Sequence, residues 1–200
     1  AAHGGIIQDE TNAIIAGTNG ASTSADGYVS ITNQNGGDVT LKNVAAKGDI
    51  TITNEAPAEG STATGGNITL GSITSASESV SVYNNIVGKD IVLENLVTAA
   101  KDIDLNTTGN ISQTEAGLAL DAGNNITLAG ADIGSDQNFI KLNANGSVGA
   151  NGNNIYLEST NKDFNISGIN SDEETADGTI KLTTTGSGNI QFQGLVKGGN

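Results

Sequence analysis

The chain has 200 residues, 28 of them Gly, with one Pro and no Cys, Met or Trp. Eight basic residues, all Lys, stand against 22 acidic ones, for a net charge of −14. That balance excludes binding to nucleic acid or anionic lipid by phosphate neutralisation, and the absence of Cys excludes disulfides and thiolate metal sites.

The first residues carry His3, the only His, flanked by Ala2 and Gly4. It reads as a spectator, because no second His is available to pair with it at a metal. No apolar stretch approaches the roughly 20 residues of a membrane helix, and no secretory leader pattern is visible.

From residue 37 a short phrase recurs: small or polar, apolar, polar, apolar. It reads Gly37-Asp38-Val39-Thr40-Leu41, then Gly48-Asp49-Ile50-Thr51-Ile52, then Gly66-Asn67-Ile68-Thr69-Leu70. It returns at Lys89-Asp90-Ile91-Val92-Leu93, Lys101-Asp102-Ile103-Asp104-Leu105 and Asn124-Asn125-Ile126-Thr127-Leu128. It recurs again at Gly178-Thr179-Ile180-Lys181-Leu182 and Gly188-Asn189-Ile190-Gln191-Phe192. Period-two alternation in such short runs, bounded by Gly, Asn and Asp, is a strand signal. Each run is too short to bury its own apolar side, so the runs must stack to share a core.

The spacing predicts how they stack. Ile68 to Ile91, Val80 to Ile103 and Ile103 to Ile126 are each 23 residues apart, with half-steps between them. A second apolar residue often follows three places after a phrase, as in Leu41–Val44, Leu70–Ile73, Leu93–Leu96, Ile166–Ile169 and Phe192–Leu195. That step reads as a bend followed by another inward-facing strand. The prediction is an all-β fold, a right-handed parallel β-helix of about nine coils of roughly 22 residues, stacked about 4.8 Å apart. The whole of 1–200 reads as one solenoid segment of a larger chain, because Gly198-Gly199-Asn200 matches the opening of a further phrase. Asn side chains stacked from coil to coil can form hydrogen-bonded ladders. Two stretches interrupt the rhythm and read as protruding loops: 55–64, around Pro57, and the acidic stretch 170–178. A β-sandwich also predicts short alternating strands, but aromatics make up only 3% of the chain and cannot supply the usual sandwich core.

The repeated G-N/D-I-T-L phrase, with Gly and Asn in the turns, resembles the repeat regions of filamentous-haemagglutinin-like adhesins. These are large bacterial exoproteins of the two-partner secretion type. Gly109-Asn110-Ile111-Ser112-Gln113 through Asn125-Ile126-Thr127-Leu128 carries the likeness best, and it extends over most of residues 27–200. The Asn-Pro-Asn motif of that family's secretion domain is absent, so the resemblance places this chain in the repeat shaft or a binding segment and not in the secretion domain. It implies a bacterial surface or extracellular location, an outer-membrane secretion partner for the parent chain, and a part in cell adhesion, biofilm formation and virulence.

Candidate sites follow from the phase of each strand. Tyr156 lies between inward Ile155 and Leu157 and so faces outward, and Tyr28, Tyr83 and Phe139 are also off-phase. Outward aromatics can stack on sugar rings or pack on a protein partner. Phe164 and Phe192 fall in inward phase and read as core. Asp102 and Asp104 alternate on one strand and, with Asp90, read either as a solvated charged face or as an acidic patch. Asp172, Glu173, Glu174 and Asp177 offer carboxylate oxygens that suit calcium, although their spacing is not that of an EF-hand loop, and a solvated acidic loop is the simpler reading. Six Asn-x-Ser/Thr triplets occur, at Asn67, Asn106, Asn110, Asn125, Asn145 and Asn165, most of them produced by the phrase itself. No catalytic constellation emerges, so the expected function is non-catalytic: an adhesin segment or stalk contacting a host or matrix glycan or protein, with no cofactor unless calcium binds. A β-helix polysaccharide hydrolase or lyase is the alternative, and an ice-binding solenoid, suggested by Thr51 with Thr53 and Thr183 with Thr185, ranks below it.

Overall fold

A computed structural model describes residues 5–9, 11–16, 27–58, 65–160, 163–171 and 178–198. Among these residues there is no helix, only short strands joined by turns and bends. They form a 12-stranded sheet and a 9-stranded sheet in which every pairing is parallel. Parallel pairing between like positions of successive coils makes a β-solenoid and rules out a β-sandwich, whose sheets are antiparallel.

The solenoid has about seven turns, against the nine expected. The difference lies in the coil lengths. Val80 pairs with Ile103 and Ile103 with Ile126, at the expected 23-residue spacing. Other coils are longer: Val39 pairs with Ile68, 29 residues on, and Ile50 with Val80, 30 residues on. The excess in both is the segment around Pro57, of which residues 59–64 lie outside the described residues. Seven turns at the parallel-strand spacing give a stack roughly 35 Å long.

Each coil presents three faces to the interior, one on the smaller sheet and one on each arm of the larger. The smaller sheet stacks Val29, Ile50, Val80, Ile103, Ile126, Val148 and Ile166 in one row, beside Ile31, Ile52, Val82, Leu105, Leu128 and Ala150. One arm of the larger sheet stacks Val39, Ile68, Ile91, Ile111, Ile133, Ile155 and Ile180. Its second arm stacks Val44, Ile73, Val97, Leu120 and Leu142. Most of these side chains are wholly buried in one continuous core. Burying a Val, Leu or Ile contributes about 1.5–3 kcal/mol, so the rows are the main source of cohesion.

The bend between the arms is the three-residue step of the sequence. Leu41 and Val44 are both buried on the continuous strand Val39–Ala46, as are Leu70 and Ile73 on Ile68–Ser75. In the next coil the bend takes one residue more, so Val97, not Leu96, occupies the row above Ile73. Phe164 is core as expected, but Phe192 is 60% exposed. It continues the row of Ile166, and among the described residues no later coil covers it. Leu195 is exposed because the inward phase falls one residue later: Val196, not Leu195, pairs with Ile169. Asn170 and Ser171, read as loop, close the strand Phe164–Ser171.

Candidate functional site

The Asp or Asn of the repeated phrase turns out to be a coupling between coils. On the larger sheet the Oδ1 of Asp38 accepts the backbone N–H groups of Gly66 and Asn67, at 2.7 and 2.9 Å. Asn67 Oδ1 accepts the N–H of Asp90 at 3.0 Å, Asp90 that of Asn110 at 2.7 Å, and Asn110 that of Asp132 at 3.1 Å. Asp132 accepts from Asn154 at 3.2 Å, and Asn154 from Thr179 at 3.1 Å. A second column on the smaller sheet runs Asp49, Ser79, Asp102, Asn125 and Ser147 in the same way.

This column decides the fate of the suspected acidic patch. Asp90 and Asp102 belong to different sheets, each tied to the coil above it. Asp104 accepts a hydrogen bond from the Tyr83 hydroxyl at 3.0 Å. The three carboxylates are not gathered at one point. Three of the Asn-x-Ser/Thr asparagines, Asn67, Asn110 and Asn125, are likewise ladder members.

An internal ladder also exists. Asn33, Asn54 and Asn84 occupy one register position and are buried. Asn33 Nδ2 donates to Asn54 Oδ1 at 2.9 Å, Asn54 Nδ2 donates to the carbonyls of Gly37 and Gly66, and Asn84 Nδ2 donates to those of Gly66 and Asp90. The hydroxyl of Thr107 takes the next place and donates to the Lys89 carbonyl. Buried corner carbonyls thereby find donors that the strand ladders do not supply.

The four nominated aromatics do not form one face. Tyr28 is 69% exposed beside the first described strand of the smaller sheet. Tyr83 is half-buried on that same sheet. A hydrogen bond from Ser81 pulls its pKa down, but partial burial and the Asp104 carboxylate, through hydrogen bond and charge, outweigh this and raise the phenol above its ordinary value. Phe139 and Tyr156 lie on the larger sheet and do meet. Their rings pack edge to face with centroids 5.6 Å apart, and Lys181, Tyr156's register partner, places its ammonium 5.6 Å from the Tyr156 ring centre. Asp172, Glu173, Glu174 and Asp177, the suggested calcium ligands, lie outside the described residues.

Sequence reasoning read the bend of the larger sheet but missed the side chains that gather at it. Lys42, Gly71 and Glu94 follow one another there on successive coils. A Cβ on Gly71 would overlap the Lys42 backbone, so only Gly fits, and the Lys42 ammonium reaches across it to Glu94, 2.5 Å away. The result is a trough of about 460 Å³ with Gly71 in its floor, and Asn43, Ser72, Asn95 and Glu115 along its sides. Loops widen the bend in the following coils. Buried Gln113 organises them: its Nε2 donates to the Glu115 and Gly117 carbonyls, its Oε1 accepts the Lys141 N–H at 2.7 Å, and its carbonyl accepts from Asn138. Gln113 sits directly above Leu93 in an inward row, so its polarity at that phase was the available signal.

What the fold and these surfaces define is a parallel β-solenoid, braced by side-chain ladders and presenting an aromatic cluster and a polar trough. Comparison with family models, curated proteins and solved structures found no match to this chain.

Proposed function

We propose that this solenoid is a non-catalytic segment of a large secreted bacterial surface adhesin, serving attachment to a host or matrix glycan or protein. The observation that carries this reading is the use made of the polar residues. The carboxylates that could have served catalysis, Asp90, Asp102 and Asp104, are engaged in coupling coils or holding Tyr83. Such coupling favours a stiff stack whose task is reach and presentation, while the Phe139–Tyr156–Lys181 cluster supplies an outward ring for a sugar or protein partner. The net charge of −14 suits an extracellular surface that stays apart from nucleic acid and lipid headgroups.

The test is binding of the purified chain to arrays of glycans and matrix proteins, with and without calcium, for wild type and Tyr156→Ala. Retention that falls with Tyr156→Ala is the expected result. A blank on every surface would leave a spacer role, and turnover of an acidic polysaccharide would establish the hydrolase or lyase reading instead.

A further inference from the structure

The trough at the bend of the larger sheet is a different surface from the aromatic cluster, and its chemistry is specific. Three of its side chains, the Asn43 amide, the Ser72 hydroxyl and the Glu115 carboxylate, have no hydrogen-bond partner among the described residues. They come from three different coils, so the unpaired groups are spread along the stacking direction. The Asn95 side chain accepts the Leu96 N–H at 2.8 Å, which leaves its amide donors available and its orientation held. The Lys42–Glu94 pair closes the floor, so neither charge is free to select a counter-ion.

We infer that this trough is a subsite for an uncharged oligosaccharide lying along the solenoid axis. An array of donors and acceptors on a stiff backbone, with one fixed ion pair beneath, matches the mixed donor–acceptor character of sugar hydroxyls. A carboxylated or sulfated sugar would meet the unpaired Glu115 carboxylate in a strongly acidic chain. An extended peptide would find no sheet edge to extend, because the strands flanking the trough are already paired on both sides. The volume of about 460 Å³ falls within the range of small-ligand sites. Coil spacing of about 4.8 Å offers one set of contacts per step along the chain of a linear glycan.

The experiment is calorimetric titration of the full chain with chitohexaose and cellohexaose as neutral probes and a galacturonic acid hexamer as the acidic one. Ser72→Tyr fills the trough, Asn43→Ala removes one partner, and Tyr156→Ala leaves the trough intact. Thermal unfolding checks that each variant folds. The expected result is that a neutral hexamer binds, that Asn43→Ala weakens it about tenfold, that Ser72→Tyr abolishes it, and that Tyr156→Ala does not change it. Preference for the acidic hexamer, or no neutral binding at all, overturns the inference. Binding lost in Tyr156→Ala but kept in Ser72→Tyr also overturns it, while supporting the aromatic cluster as the contact surface.

Discussion

Asp90 and Asn110 hold the same position on successive coils, and the carboxylate of the first accepts the backbone N–H of the second at 2.7 Å. Their column reads Asp38, Asn67, Asp90, Asn110, Asp132, Asn154, alternating strictly between acid and amide. Either oxygen makes the hydrogen bond. Only the alternation keeps carboxylates two coils apart, about 10 Å, which is near the screening length at physiological salt. Asn110→Asp would place three carboxylates in successive coils. It should cost about 1–2 kcal/mol at low salt and much less in 1 M NaCl, whereas Asp90→Asn should cost under about 0.5 kcal/mol. Urea unfolding at two salt concentrations measures both, and a cost for Asn110→Asp that ignores salt would refute the charge argument.

The internal ladder should be less forgiving. Asn54 is fully buried and bonds Asn33, Gly37 and Gly66. Asn54→Ala strands those partners without water, at about 3 kcal/mol. Chemical denaturation tests this, with Asn12→Ala, an exposed position, as the control that should change little.

At the bend, packing outweighs charge. Glu94→Gln breaks an ion pair whose side chains are 27% and 36% exposed, and should cost less than about 1 kcal/mol. Gly71→Ala forces a Cβ into the Lys42 carbonyl and should cost about 2–3 kcal/mol. The reverse order in a thermal-shift comparison would mean that the bend is supple and the ion pair holds it.

Gln113→Leu makes the position resemble Leu93 one coil below. The core volume is nearly kept, but the bonds to Glu115, Gly117 and Lys141 are lost. Global stability should fall by about 1–2 kcal/mol, with faster amide exchange at Lys141 and faster proteolysis between residues 114 and 119. Unchanged exchange at Lys141 would show that Gln113 is not the organiser.

Tyr83 provides a pH signature. Its folded pKa is raised, so the neutral phenol's contribution is complete below the ordinary tyrosine value near 10 and is lost as pH rises through the folded value. Asp104→Asn removes the opposing carboxylate charge and leaves the Ser81 hydrogen bond, which lowers the pKa. The phenolate absorbance assigned to Tyr83, by difference from Tyr83→Phe, should then develop at lower pH than in wild type. An identical midpoint would rule out the Asp104 carboxylate as a cause.

The core of this fold is legible along the chain because alternation in a strand is local. Ile50 and Ile52, or Ile103 and Leu105, must face one way whatever surrounds them, and both pairs are buried. The outward phase of Tyr156 follows from the same rule. Partners are another matter. Nothing between Phe139 and Tyr156, or between Lys42 and Glu94, marks them as neighbours, since each contact joins different coils.

The strand class, the parallel stacking and most of the core follow from the chain alone, because all three depend on period-two alternation and the repetition of one phrase. Only the tertiary structure decided how many turns there are, which Asp and Asn residues brace successive coils, where Phe192 ends up and where the trough opens. The physical reason is register. Paired positions lie 18 residues apart at Val148 and Ile166 but 33 apart at Ile6 and Val39, so which side chains stand above one another is set by how each coil closes.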